Sequence, residues 1–302
     1  GAAHSLFGQD QKENGGRICP AIPMAVIPAS NGTHPHPPIA RTPFFHYNSM
    51  DIIHGGINLE HWESLCPGGL AFVYDDALFR PGTDSFLLGS FPRLKPGARV
   101  CDLGSGTGLL GLLLLQRQRE LTVTGVELLP EAVQLAEEAA ARNGLSGRLV
   151  CRQGDLRDIR ALLPAGDFDL VVSNPPYYPV GAGHLPEAEP LRSARSEAGC
   201  TLEEVCAAAA YLLRWGGSFC LVHKPERLAD LCCALRASRL EPKRLRLVCR
   251  RAGDAPSLLL LEARRGGRPG LDIAAPLCLE DGAGRPTAEL DAAYFRTKEA
   301  NP

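Results

Sequence analysis

The chain has 302 residues, 45% of them hydrophobic and 22% charged, with a formal net charge of -2. That is enough apolar material for one large α/β core, and the near-zero charge excludes a protein held on nucleic acid by bulk charge alone, so any RNA contact must be local. No apolar run approaches the ~18 residues of a membrane span, and the stretch Ile18 to Pro28 is too short and too broken by proline for a signal peptide. The 11 cysteines are scattered and form no C-x-x-C pair. They read as small buried apolar residues of a reducing cytoplasm, neither a disulfide framework nor a zinc site.

Residues 1–49 mix Gly, Pro, Asn and His without helix or strand period, the composition of a disordered leader. His34-Pro35-His36-Pro37-Pro38 is held extended by its prolines and has no Cys or carboxylate beside it, so no metal is expected. Val100-Cys101-Asp102-Leu103 then reads as a buried strand running into the turn Gly104-Ser105-Gly106-Thr107-Gly108 and a helix from Leu109. Glycine lets such a turn take positive φ and lets a ligand approach the helix N-terminus closely. Gly106, Gly108 and Gly111 also satisfy G-x-G-x-x-G, which leaves a dinucleotide site open at this point.

A second strand, Val123 to Glu127, ends in a carboxylate roughly 20 residues past the glycine turn, where it can accept both hydroxyls of a ribose. Pro130 starts a helix that Asn143-Gly144 stops. A third strand, Arg148 to Arg152, leads to Gly154-Asp155-Leu156, where an acidic residue suits an adenine edge. A fourth, Phe168 to Val172, leads to Ser173-Asn174-Pro175-Pro176-Tyr177-Tyr178. An amide with both donor and acceptor, two stiff prolines and an aromatic ring form a clamp for a flat group bearing NH2, such as adenine presented to a methyl donor. Asp102, Glu127, Asp155 and Asn174 thus fall in order at four strand ends, the edge along which open α/β sheets bind ligands.

Thr201 with Glu204 predicts a capping box and a helix ending at Gly216-Gly217. Gly217 to His223, Arg244 to Val248 and Ser257 to Glu262 supply three more strands. Alternating strands and helices from residue 99 predict a doubly wound parallel sheet with helices on both faces. Arg236, Arg239, Lys243, Arg244, Arg246, Arg250 and Arg251, with Arg264, Arg265 and Arg268, form the one clearly basic region. They are candidates for phosphate contacts, Arg244 and Arg246 foremost.

Asp102 to Gly108, then Glu127, Asp155 and Asn174-Pro175-Pro176-Tyr177, resemble the motif series of class I S-adenosylmethionine-dependent methyltransferases of the amino-methylating branch. Phe79 to Leu88, Arg264 to Leu271 and Pro276 to Asp281 further resemble the bacterial tRNA1(Val) adenine-N6-methyltransferase family, a resemblance running from about Met50 to Arg296. It implies a seven-stranded, mostly parallel sheet over residues 99–265 whose last strand is antiparallel. It also implies a segment 50–98 that caps the cofactor site and a C-terminal extension, 266–302, packed on the domain.

The implied cofactor site is Thr83, Asp84, Asp102, Gly104, Gly106, Gly108, Glu127, Asp155, Leu156 and Asn174. Asn174, Pro175 and Tyr177 would be catalytic, and Pro176, Tyr177, Tyr178, Arg244 and Arg246 would bind the substrate. The implied partner is a tRNA anticodon loop, methylated at adenine 37, with S-adenosylmethionine as cofactor and neither metal nor membrane. A glutamine methyltransferase acting on a release factor shares Asn-Pro-Pro-Tyr, and a catalytically silent RNA-binding module is a third reading, against which the intact clamp speaks.

Overall fold

The structure, a computed structural model, describes residues 50–53, 59–75, 78, 80–175 and 200–296. The expected leader, 1–49, and the clamp residues Pro176, Tyr177 and Tyr178 lie outside the described residues. β1 (Met50–Ile53), β2 (Leu59–Ser64) and β3 (Ala71–Asp75) form a small antiparallel sheet, followed by α1 (Thr83–Ser90). The central sheet starts with β4 (Arg99–Leu103), α2 (Leu109–Arg117), β5 (Thr122–Glu127), α3 (Pro130–Arg142) and β6 (Leu149–Gln153). After the short α4 (Ile159–Leu162) come β7 (Phe168–Ser173), α5 (Leu202–Leu212), β8 (Leu213–His223), α6 (Leu228–Ala237), β9 (Leu240–Cys249) and β10 (Leu258–Arg265).

The strand order is β9-β10-β8-β7-β4-β5-β6, with β10 antiparallel to both neighbours and the rest parallel. This is the expected doubly wound sheet. Its direction of winding reverses between β4 and β7, so the loops after these two strands diverge and leave a crevice at their carboxyl ends. Central strands covered on both faces read as continuous apolar runs, and β4 and β7 are buried over Val100–Leu103 and Leu170–Ser173. Cys101, Cys151 and Cys220 are buried in these strands, and burial pushes the Cys151 thiol up to about 12.

Two features differ from the sequence expectation. β11 (Asp272–Ile273) and β12 (Leu277–Cys278), two residues each, pair in parallel with β9 and bring the sheet from seven strands to nine. They close the edge that β9 would otherwise expose. The helix begun by the Thr201–Glu204 capping box stops at Leu212, not at Gly216-Gly217. Leu213 is captured by pairing with Phe168, and the two glycines sit in a bulge of β8.

The small sheet is tied to the helices beside the glycine turn. Asn143, the expected helix stop, also accepts from the Ala71 amide at 2.8 Å and donates to its carbonyl at 2.7 Å. Gln116 accepts from the Leu70 amide at 2.9 Å, and the Thr107 hydroxyl donates to the Val73 carbonyl at 2.7 Å. At the other end of the chain, α7 (Ala288–Ala293) closes onto α1. The Tyr294 ring stacks on Phe86 with centroids 4.2 Å apart, and the Tyr294 and Thr83 hydroxyls lie 3.0 Å apart in a hydrogen bond. Arg117 donates to the carbonyls of Ala292 and Ala293 at 3.2 and 2.9 Å.

Candidate active site

The carboxyl ends of β4, β5, β6 and β7 open into one cavity of about 290 Å³. Asp102, Gly104, Gly106, Glu127, Asp155, Leu156, Asn174 and Pro175 all line it, so the four strand ends do converge. Gly104 and Gly106 have φ of +73° and +53°, the left-handed conformation in which an L side chain is strained. Gly125 serves the turn from below, since a Cβ there would lie 2.5 Å from Ser105 Oγ and 2.9 Å from Cys151 Sγ.

Glu127 is held at both oxygens. Oε2 accepts from the Gly106 amide and Oε1 from the Leu129 amide, each at 2.9 Å. The carboxylate therefore fixes the glycine turn while standing at the cavity wall. Asp102 is fully buried, and its Oδ2 has no hydrogen-bond partner among the described residues. Burial, reinforced by the Glu127 charge, pushes the Asp102 carboxyl up to about 8. A buried oxygen left unsatisfied is costly, and one lining a cavity is satisfied by a ligand that brings a donor or a positive charge.

The raised carboxyl has a consequence for stability. Between the unfolded pKa of about 3.9 and the folded value near 8, the folded protein holds a proton that the unfolded chain releases. Stability should therefore fall as pH rises through that window. Thermal denaturation of the ligand-free protein is expected to show this decline between about pH 5 and 8, and Asp102→Asn should flatten it. An identical slope in the variant would mean that other groups set it.

Asp155 reaches the cavity, but its carboxylate accepts from the Arg157 amide at 2.8 Å and from Arg157 Nε at 2.8 and 2.9 Å. The Arg157 hydrogen bonds hold it below the usual carboxylate range. Gly108 does not line the cavity. With φ of +80° it caps α2, and its missing Cβ leaves room for Ala136, whose own Cβ would be 3.1 Å away.

Thr83 and Asp84 are not cavity residues either. Thr83 is bonded to Tyr294, and Asp84 accepts from the Ser85 amide at 2.8 Å. Ser85, which the sequence reading passed over, is the residue by which α1 reaches the cavity. It lines the cavity, and its Oγ accepts from Asn174 Nδ2 at 3.1 Å. The amide nitrogen is thus held toward α1, which turns the amide oxygen the other way.

Arg244 and Arg246 do not present their guanidinium groups as the sequence reading expected. Arg244 donates to Glu262 at 2.9 Å and to the Phe91 carbonyl at 2.7 Å, and lies 3.8 Å over the Phe91 ring. Arg246 makes a two-pronged pair with Glu289, both distances 2.8 Å, and donates to the Ala275 carbonyl. Both fasten the C-terminal part of the sheet. Among the described residues no group of three His, Cys, Asp or Glu is placed to hold a metal ion, and no helix is long and apolar enough to cross a membrane.

This arrangement has close parallels among known proteins. The family profile described as methyltransferase small domain matches residues 73–230, more than half of the chain. A tRNA1(Val) (adenine(37)-N6)-methyltransferase from Porphyromonas gingivalis is 35% identical over 191 residues, covering 61% of this chain and 74% of the relative. One from Tolumonas auensis is 32% identical over 241 residues, covering 74% of this chain and 95% of the relative. The crystal structure of a predicted O-methyltransferase from Agrobacterium tumefaciens superposes with a TM-score of 0.59 at 24% identity, over 71% of this chain and 97% of that one, and so shares the fold. The chain belongs to the methyltransferase small domain family that includes these tRNA1(Val) (adenine(37)-N6)-methyltransferases.

Proposed function

We propose that the protein transfers a methyl group from S-adenosylmethionine to N6 of an adenine in tRNA, adenine 37 in the anticodon loop of tRNA1(Val), in the cytoplasm. The observation that carries this reading is the Asn174 amide, held through Nδ2 by Ser85 in the same cavity as Asp102 and Glu127. The relatives from Porphyromonas gingivalis and Tolumonas auensis supply the acceptor.

S-adenosylmethionine supplies an electrophilic methyl group on a sulfonium. The unsatisfied Asp102 Oδ2 suits a ligand that carries positive charge, and Glu127 suits the ribose hydroxyls. The chain's remaining work is placement, because an aligned near-attack geometry removes much of the barrier. Adenine's amino nitrogen shares its lone pair with the ring. Asn174 Oδ1 and the Pro175 carbonyl accept its two N–H bonds and favour the pyramidal nitrogen that can attack. These hydrogen bonds strengthen as positive charge grows on that nitrogen, which stabilises the transition state over the ground state. The roles read from the sequence for Pro176, Tyr177 and Tyr178 in holding the base fall on residues outside those the structure describes. An anticodon loop base is unpaired, so turning it into the cavity costs little.

The test is mass spectrometry of nucleosides from tRNA incubated with the protein and labelled S-adenosylmethionine. Labelled N6-methyladenosine, mapped to position 37 of valine tRNA, is the expected product. Label found on a glutamine of a release factor, with none in any tRNA, would replace this reading with the protein-methylating one.

A further inference from the structure

In the basic region Lys243 and Arg265 donate to backbone carbonyls, and the other eight residues fall into two sets. Arg236, Arg244, Arg246, Arg250 and Arg251 are all ion-paired with glutamates. Arg239, Arg264 and Arg268 are exposed, and among the described residues none of the three is held in an ion pair. Arg264 and Arg268 stand two residues either side of Gly266, whose amide bonds the Arg239 carbonyl, and Gly266 is the residue that an unusual aromatic side chain touches. Leu213 pairs with Phe168 and Ser218 with Leu170, so residues 214–217 bow out of the sheet. Trp215, at the crest of this bulge, is 74% exposed.

The indole is braced nonetheless. It lies against Gly266, where a Cβ would fall 2.2 to 2.5 Å from three of its ring atoms, so in this position the ring rests on a residue without a side chain. The Gly266 amide in turn donates to the Arg239 carbonyl at 3.3 Å, and Arg264 stands two residues before it, paired with Ser218. A water-exposed indole beside backbone positions that carry exposed arginines is the chemistry that stacks an unpaired base and meets the phosphates next to it.

We infer that Trp215, with Arg239, Arg264 and Arg268, forms a second RNA contact, which rests on the reading of the substrate as tRNA. Trp215 is at the amino edge of the sheet and Asn174 at the carboxyl edge. Leu213, next to the bulge, pairs with Phe168, and Asn174 follows Ser173 at the other end of β7; at about 3.3 Å per residue the two edges lie roughly 20 Å apart through the sheet. The two positions open on opposite edges of the sheet, so a base stacked on Trp215 belongs to a part of the same tRNA outside the loop seated in the cavity.

The chain has 2 tryptophans, and Trp62 is buried at 6% exposure, so Trp215 is the one that reports contact with added RNA. Tryptophan fluorescence is titrated with full-length valine tRNA and with its isolated anticodon stem-loop, without methyl donor. Full-length tRNA should quench the emission and the stem-loop should not. Measured by filter binding, Trp215→Ala should weaken full-length tRNA by about tenfold, the value of one base stack, while Trp215→Tyr restores most of it. The stem-loop should bind both variants as it binds wild type. Arg264→Glu should lower the salt slope by about one or more.

Equal binding of full-length tRNA by wild type and Trp215→Ala would overturn the inference. So would sedimentation showing that Trp215 is covered by a second copy of the chain. Because nucleoside analysis reports the product separately, methylated tRNA with unchanged binding by the variant rejects this contact alone. Absence of methylated tRNA rejects the substrate reading beneath it.

Discussion

Asn174→Ala is expected to lower kcat for methyl transfer by about 10²–10³, while the Kd for S-adenosylmethionine stays within about twofold. The amide oxygen acts on charge that exists only in the transition state, and the nitrogen end is occupied by Ser85, 3.1 Å away. Ser85→Ala removes the anchor and keeps the acceptor, so it should cost kcat less, about fivefold, near the worth of one neutral hydrogen bond. Ser85→Thr, which keeps the hydroxyl, should recover activity. Single-turnover rates and calorimetry on the three variants separate chemistry from binding. Should Asn174→Ala retain appreciable turnover, the acceptor pocket is elsewhere.

Glu127→Ala should weaken S-adenosylmethionine by about 2–3 kcal/mol, roughly 30- to 150-fold in Kd, through loss of charge-assisted hydrogen bonds. The structure gives this carboxylate a second duty that adds to the effect, since it holds the amides of Gly106 and Leu129. Removing it also removes the charge that helps raise Asp102. The pH at which cofactor affinity stops rising should therefore move down in the variant. In the wild type, a cationic ligand opposite Asp102 favours the carboxylate, so affinity climbs with pH toward about 8 and then levels. Calorimetry across pH 6 to 9, a range set around roughly that titration, reads both effects, and an unaltered Kd for Glu127→Ala would remove this residue from the cofactor site.

The convergence of the four strand ends on one cavity was legible because it is written locally. Each of Asp102, Glu127, Asp155 and Asn174 sits at the end of an apolar strand, and the parallel fold brings such ends together without further instruction. The rest depends on partners far away in sequence. Ser85 reaches Asn174 across 89 positions, and nothing in Thr83-Asp84-Ser85 alone tells which hydroxyl will point inward. Arg244 and Arg246 looked like phosphate ligands because charge is visible in a sequence and its compensation is not: Glu262 and Glu289 lie 18 and 43 residues further on. The early end of α5 has the same origin, for the Gly216-Gly217 signal was overruled by strand pairing at Leu213.

The stacking of Tyr294 on Phe86 and its hydrogen bond to Thr83 make α1 a helix with two obligations, since the same eight residues carry Ser85. During synthesis the strand ends that form the cofactor cavity emerge well before residue 294. The residues that line the candidate cavity therefore all precede in the chain the tyrosine that supports α1.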